Sequence, residues 1–299
     1  MLKPGLYEQL INNGLKRELD NITEECKSVA HIDKAEAAEI ISKYVSEVLQ
    51  KQLNIIAETN KDDSLIKQIE LANKLISIVD ENEKEPLISS GITDEENGLQ
   101  LLSLLDPNDE KRILGEKASE IERPQTSLAQ SSLFTGAPNE PQMFSELKKE
   151  IVSADRIDML VSFIKFSGLR LILDELREYT EKGGKLRIIT TTYMGATDIK
   201  AIESLRKLPN TEIKISYDTK VTRLHAKTYV FYRNTGFTTA YIGSSNLSSA
   251  AITNGLEWNV KITAKDQPQT IEKIKATFES YWNNSDFQAY DEKQYTKLN

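Results

Sequence analysis

From Met143 onward the chain alternates two hydrophobic periods, and this alternation narrows its possible folds more than any other feature. Helical spacing in "MFSELKKEIVSA" gives way to the unbroken apolar run "IDMLVSFI". A helical stretch ended by glycines, "GLRLILDELREYTEKGG", then leads into a second extended run, "KLRIITTT". The rhythm continues through helical "TDIKAIESLRKL", extended "TEIKISY", "HAKTYVFY" and "TTAYIGS", a short helix from "SNLSSAAI", extended "LEWNVKIT", and a final amphipathic helix, "QTIEKIKATFESYW". Strands that are apolar on both sides need cover on both sides. The pattern therefore predicts an α/β domain over residues 143–299, a mixed sheet flanked by helices.

Before it the sequence changes character. Residues 1–120 repeat apolar positions at three- and four-residue steps in "LYEQLINNGLKREL", "KAEAAEIISKYVSEVLQKQLNII" and "SLIKQIELANKLISIV", which predicts a small helical bundle for interaction or assembly. Asp33 is placed to cap the second stretch, and Glu85-Pro86 closes a helix. Between bundle and sheet, residues 121–142 gather Pro, Ser, Gly, Gln and Asn in "ERPQTSLAQSSLFTGAPNEPQ", the composition of a linker or surface-hugging connector.

The net charge of −8 at first argues against a polyanionic ligand, since binding phosphates relies on Lys and Arg. Its distribution changes that reading. Residues 1–120 hold 14 Lys+Arg against 25 Asp+Glu, so residues 121–299 are left at +3. The C-terminal part tolerates a phosphate-rich partner. The opening "MLKPGLYEQL" has neither the basic start nor the apolar core of a secretory signal, and no apolar run approaches bilayer-spanning length, so a cytoplasmic protein is expected. One cysteine, Cys26, excludes an internal disulfide framework and a thiolate cluster.

Two histidines are present, and one of them stands in company. In "RLHAKTYVFY", His225 and Lys227 are two apart, so an extended backbone projects both from one face. In "TTAYIGSSNLS", Gly243 ends a strand and Ser244, Ser245 and Asn246 form a turn opening a helix near Leu247, where backbone N–H groups and small polar side chains suit an anion. Glu257, at the start of the following strand, is placed to hold an imidazole in one tautomer. Imidazole, ammonium, amide and carboxylate converging on an anion pocket equip a site for attack on a phosphodiester. Arg223, Lys165 and Tyr193, on strand-end loops, are candidates to contact flanking backbone. His31 sits ahead of a helix with no such neighbours, and no spacing of metal ligands is visible.

Those residues carry a resemblance. His225-Ala226-Lys227 followed by Gly243-Ser244-Ser245-Asn246 and Glu257 resembles the phospholipase D superfamily over residues 140–285. More narrowly, "VSFIKFSGLR", "ITTTYMGATD", "TRLHAKTYVF" and "GLEWNVK" look like the nuclease-like domain near the N-terminus of bacterial DEAD/DEAH-box helicases of defence or repair, and "LKPGLYEQLIN" is similar to the segment preceding it. The resemblance implies a phospholipase D-like fold and a metal-independent phosphodiesterase, needing no cofactor and acting on DNA. His225 is then the nucleophile, Lys227, Asn246 and Ser244 or Ser245 stabilise the phosphoryl oxygens, and Glu257 orients the ring. Many relatives carry Asp where this chain has Tyr232, which leaves the orienting role to Glu257.

With one H-x-K, protonation of the leaving group calls for a second imidazole from a two-fold homodimer. A helicase or ATPase partner, or a missing helicase region, is implied as well, since the chain itself has no G-x-x-x-x-G-K-[ST]. Tyr232 keeps a second reading open, a catalytically weak or inactive binding and assembly module. A lipid phosphodiesterase finds no support in a basic amphipathic helix.

Overall fold

The computed structural model describes residues 10–21, 29, 31–35, 37–59, 63–80, 102–103, 122–192, 197–217, 224–248 and 257–291. The chain divides into two compact units, Met1–Leu102 and Ser103–Asn299.

The regular structure of the first unit is helical among the described residues. Helix α1 (Asn13–Leu19) is capped by Asn12, whose side-chain oxygen accepts from the Leu15 N–H at 2.9 Å. Helices α2 (Ala37–Thr59) and α3 (Ser64–Asp80) pack on each other, with Ile69 buried and Gln68 Nε2 donating to the Leu53 carbonyl at 2.9 Å. Asp33 accepts from the Ala35 N–H, a local turn just ahead of α2. Cys26 and the Glu85-Pro86 step lie outside the described residues.

The second unit is built on one eight-stranded sheet. Its strands are β1 (Ser132–Phe134), β2 (Arg156–Val161), β3 (Lys185–Thr191), β4 (Thr211–Ser216), β5 (Lys227–Tyr232), β6 (Thr239–Gly243), β7 (Asn259–Thr263) and β8 (Gln288–Ala289), in the order β1-β7-β6-β5-β2-β3-β4-β8. Strands β2, β3 and β4 run parallel, and every other pairing is antiparallel. Among the described residues five helices accompany them: α4 (Met143–Val152), α5 (Phe166–Leu169), α6 (Leu173–Glu181), α7 (Ile199–Arg206) and α8 (Pro268–Trp282). Gly183, at φ 92°, ends α6 in the left-handed conformation that favours glycine.

Both faces of the sheet are covered, which explains the unbroken apolar runs. Ile157, Met159 and Val161 of β2 join Leu147, Ile151, Leu169, Leu176 and Ile202 from α4 to α7 in one core. On the opposite face Leu160 and Ile189 pack beneath Phe278 and Trp282 of α8. Asp158 interrupts the β2 run on this second face. It is fully buried and receives Arg187 at 2.8 and 2.7 Å, and Arg187 in turn reaches Glu279 of α8. The pair holds α8 to the sheet by geometry, and removal of one partner from such a buried pair costs about 3–5 kcal/mol.

Composition misjudged the segment before α4. Residues 122–142 are part of the sheet unit, because β1 pairs with β7 at the sheet margin and the stretch before it is clamped by a buried acid. Glu146 accepts from the Gln125 and Thr126 N–H groups at 2.8 and 3.1 Å and from the Thr126 hydroxyl at 2.6 Å. One turn on, fully buried Glu150 is met by Arg233 at 2.6 Å, Lys261 at 2.9 Å, Thr239 at 2.8 Å and Tyr241 at 3.0 Å. Burial alone would raise the Glu150 carboxyl, yet two adjacent cations hold it below the usual carboxylate range.

The strand directions gather the C-terminal ends of β2, β3, β4 and β6 with the starts of β5 and β7 along one margin of the sheet. Alpha/beta sheets characteristically place ligands at such a margin.

Candidate active site

At that margin the backbone of β5 extends past its first residue toward His225. The Ser162 N–H and hydroxyl both bond the Ala226 carbonyl, at 3.1 and 3.0 Å, so residues 224–226 stay extended beside the end of β2. His225 and Lys227 therefore project on one side, as their spacing requires. The imidazole is exposed, whereas Lys227 is 5% exposed. Lys227 Nζ stands 3.0 Å from Nδ1 and 3.1 Å from Nε2 of that ring and donates to the His225 carbonyl at 2.9 Å. Burial lowers the Lys227 ammonium below its ordinary value, and the negative charge of Glu257 partly opposes the shift.

Asn246 arrives from β6. Its Oδ1 accepts from the Phe163 N–H at 3.2 Å, while the Phe163 ring meets the His225 ring edge-on with centroids 6.3 Å apart. Phe163, at the end of β2, thus touches both the imidazole and the amide. With Oδ1 committed, the Asn246 group left to meet a ligand is its NH2, a donor suited to phosphoryl oxygens.

The turn itself differs from the anion cradle expected of it. Its backbone donors meet protein acceptors: Ser244 N–H to the Trp258 carbonyl at 3.1 Å, Ser245 N–H to Asn259 Oδ1 at 3.4 Å, and Leu247 N–H to the Phe163 carbonyl at 3.2 Å. Leu247 forms a bridge with Ile164 where a helix start was expected, and residues 249–256 lie outside the described residues. Ser245 is fully buried, and its hydroxyl accepts from Asn259 Nδ2 at 2.7 Å. Its expected part in substrate binding is therefore corrected to fastening the turn onto β7. Ser244 is the exposed serine of the pair, its hydroxyl accepting from the Trp258 N–H at 3.1 Å.

Glu257 is half-buried, and among the described residues no hydrogen bond joins it to the His225 ring. Its charge acts on Lys227 instead. Lys165 pairs with Asp198 at 3.1 Å, and Asp198 also accepts from the Phe166 N–H at 2.9 Å. Burial would raise that carboxyl, but the Phe166 amide and Lys165 outweigh it and lower it. Arg223 and Tyr193 lie outside the described residues. Tyr232 ends β5, five residues beyond Lys227 and so roughly 17 Å along the strand, under the Arg156 guanidinium 3.8 Å from its ring centroid. A carboxylate at that position would stand too far along the strand to touch the imidazole.

Sequence reasoning missed Phe163, Asn259, Asp198 and Gly168. Their signal is contact, which spacing does not reveal. Gly168 is the clearest case: a Cβ there would lie 2.5 Å from Leu247 and Ser248 backbone atoms, so only glycine lets the Asn246 turn close onto α5.

Residues 147–282 match the family described as cardiolipin synthase, PLD-like domain. This stretch has a PLD-like fold. Its mixed sheet with helices on both faces is the fold the resemblance implied. Among solved structures it is similar to NucT from Helicobacter pylori, at 24% identity and TM-score 0.41, over 54% of this chain and 99% of that one. Nuc from Salmonella typhimurium, a phospholipase D family member, is 23% identical with TM-score 0.41, over 54% and 99%. Polyphosphate kinase from Porphyromonas gingivalis is 13% identical with TM-score 0.40, over 62% and 26%. No curated protein sequence matches the chain significantly. In the described residues no helix is long and apolar enough to cross a membrane.

Proposed function

We propose that the PLD-like domain is a metal-independent phosphodiesterase of nuclease type that cleaves DNA in a homodimeric site. One observation supports this reading above the rest: an exposed imidazole in direct contact with a buried ammonium, with an oriented amide donor one residue contact away through Phe163. In this scheme a ring nitrogen of His225 forms a bond to phosphorus as the phosphorus–oxygen bond to the leaving alkoxide breaks. The alkoxide takes its proton from the imidazole of a second copy. Water then attacks the phosphorus–nitrogen bond, its proton passing to that second ring, and free His225 is regenerated.

Lys227, the Asn246 NH2 and the Ser244 hydroxyl stabilise the non-bridging oxygens as charge develops on them. The negative charge of Glu257 partly offsets the lowering of the Lys227 ammonium by burial. Association with a helicase rests on the sequence resemblance alone.

The test compares the wild type with His225→Ala on plasmid and single-stranded DNA in EDTA. Wild type is expected to cleave and the variant to be inert, with alkali-stable, acid-labile radiolabelled phosphate trapped on the wild-type protein and absent from the variant. Equal cleavage by both proteins, or none by either, overturns the proposal.

A further inference from the structure

Helices α2 and α3 of the first unit are apolar around more of their circumference than one neighbour can cover. At about 100° per residue, the large apolar side chains of α2 run from Ile40 round to Leu53 over an arc of about 220°, and those of α3 from Ile78 round to Ile66 over about 240°. A helix packed on a single neighbour needs a stripe of little more than about 100°. The excess stays uncovered: among the described residues of this unit only Ile69 is buried.

The uncovered side chains gather on one face. Along α2, Ile41, Val45, Val48 and Ile55 follow the alternating four- and three-residue steps of a helix-packing seam, with Gln52 in the remaining place. This seam lies about 90° around the helix from Leu49, Leu53 and Ile56, the half-buried side chains beside α3. On α3, Leu75, Ile78 and Val79 lie about 120° from Ile69 and Ile76, in the same sense of rotation. Only residues 60–63 join the two helices, so they run antiparallel, and rotations of one sense on antiparallel helices point to the same side. Val45 and Val48 then stand level with Ile78 and Leu75. The seven apolar side chains are exposed by 39% (Leu75) to 56% (Ile78).

We propose that this face joins a second copy of the chain in a four-helix bundle whose two-fold axis runs along the hairpin. The contact belongs to the N-terminal unit and does not rest on the phosphodiesterase reading. Three observations favour a second copy as the occupant. The area suits it, since the seven side chains offer about 600 Å², most of the ~800 Å² that a stable contact buries on each partner. The charge permits it: residues 37–80 hold five Lys against seven Asp and Glu, which leaves −2, and every one of these lies off the face.

The polar members of the face give the third. They are Gln52 and Gln68, both near the turn, and an amide is donor and acceptor at once. Gln68 already donates to the Leu53 carbonyl, so its oxygen is left to accept from an incoming Gln52. An axis along the hairpin brings turn end to turn end, amide to amide and hydrocarbon to hydrocarbon. An axis across it would press the amides onto Ile41 and Ile78, where they find no partner and are penalised.

The test uses the full chain with Cys26, its only cysteine, replaced by serine, and one new cysteine in each variant. Gln52→Cys places the thiol on the face, and Gln50→Cys places it about 160° away on the polar side. A bis-maleimide spanning about 8 Å, the spacing of packed helices, is expected to link two chains through position 52 and not through position 50. Adding Val45→Glu and Val48→Glu sets like charges against their images, so the protein concentration needed for the same yield should rise about a hundredfold. Circular dichroism should not change, because both valines are already about half exposed.

Equal linking through both positions overturns the proposal, as does linking at position 52 that the glutamates leave untouched. No linking at position 52 overturns it as well and assigns the face to a different protein. Association through the other unit would leave positions 50 and 52 alike, so it cannot imitate the expected result. Should the glutamate variant lose helix, the comparison of positions 52 and 50, which leaves all seven apolar side chains in place, decides alone.

Discussion

Replacing Gly168 by alanine tests whether the Asn246 turn is positioned by backbone packing. The added methyl would lie 2.5 Å from the Leu247 carbonyl carbon and from the Ser248 N and Cα. Ordinary contact begins at 3.4 Å, so the two segments must part by about 1 Å, and neither atom set can rotate away because both are main chain. The turn is also tied there by Lys165 N–H to the Leu247 carbonyl at 2.8 Å and by Leu247 N–H to the Phe163 carbonyl. Overpacking of this kind costs about 1–3 kcal/mol. Movement of the Asn246 donor by about 1 Å is expected to slow the chemical step by about a hundredfold.

The assay is single-turnover cleavage of a labelled oligonucleotide in EDTA with enzyme in excess, paired with a urea melt. A rate within about twofold of wild type and an unchanged midpoint would show that the turn is held by something other than this contact.

Two further substitutions probe the charges. Glu150→Gln leaves Arg233 and Lys261 buried without their counter-ion, and a loss of about 3–5 kcal/mol is expected in urea denaturation. Because the native Glu150 value is depressed, its contribution is present above the unfolded carboxylate range and is lost as pH falls through the native value; the variant should lack this acid dependence, and an unchanged stability–pH curve would refute the role. Glu257→Gln removes a charge that raises the Lys227 value, so the ammonium should lose its proton at lower pH and the alkaline limb of the rate profile should move downward. A limb that stays in place would remove Glu257 from that role.

The layered α/β class was legible because strands buried on both faces must read as continuous apolar runs, and β2 and β3 do. The shared face of His225 and Lys227 was legible for an equally local reason, the two-residue period of extended backbone. What escaped depends on contacts far apart in sequence. Ser244 and Ser245 are chemically identical, and only the arrival of Asn259 decides that the second turns inward. Residues 122–142 have a connector's composition, yet they are ordered by Glu146 and Lys261, the latter 2.9 Å from the Thr126 hydroxyl and drawn from a strand 135 positions later. Asp158 and Glu150 resemble solvated charges in the sequence until their arginine partners are placed beside them.

The Glu146 clamp has a bearing on where this domain can be cut. A chain shortened to begin at Met143 would strip that acid of its Gln125 and Thr126 donors and take away the strand that shields β7. The bare backbone of β7 would then invite pairing with any passing strand. Severing the peptide in this apparent hinge would thus loosen the same rim on which Trp258 stands, and the damage would surface as aggregation rather than as release of an independent module.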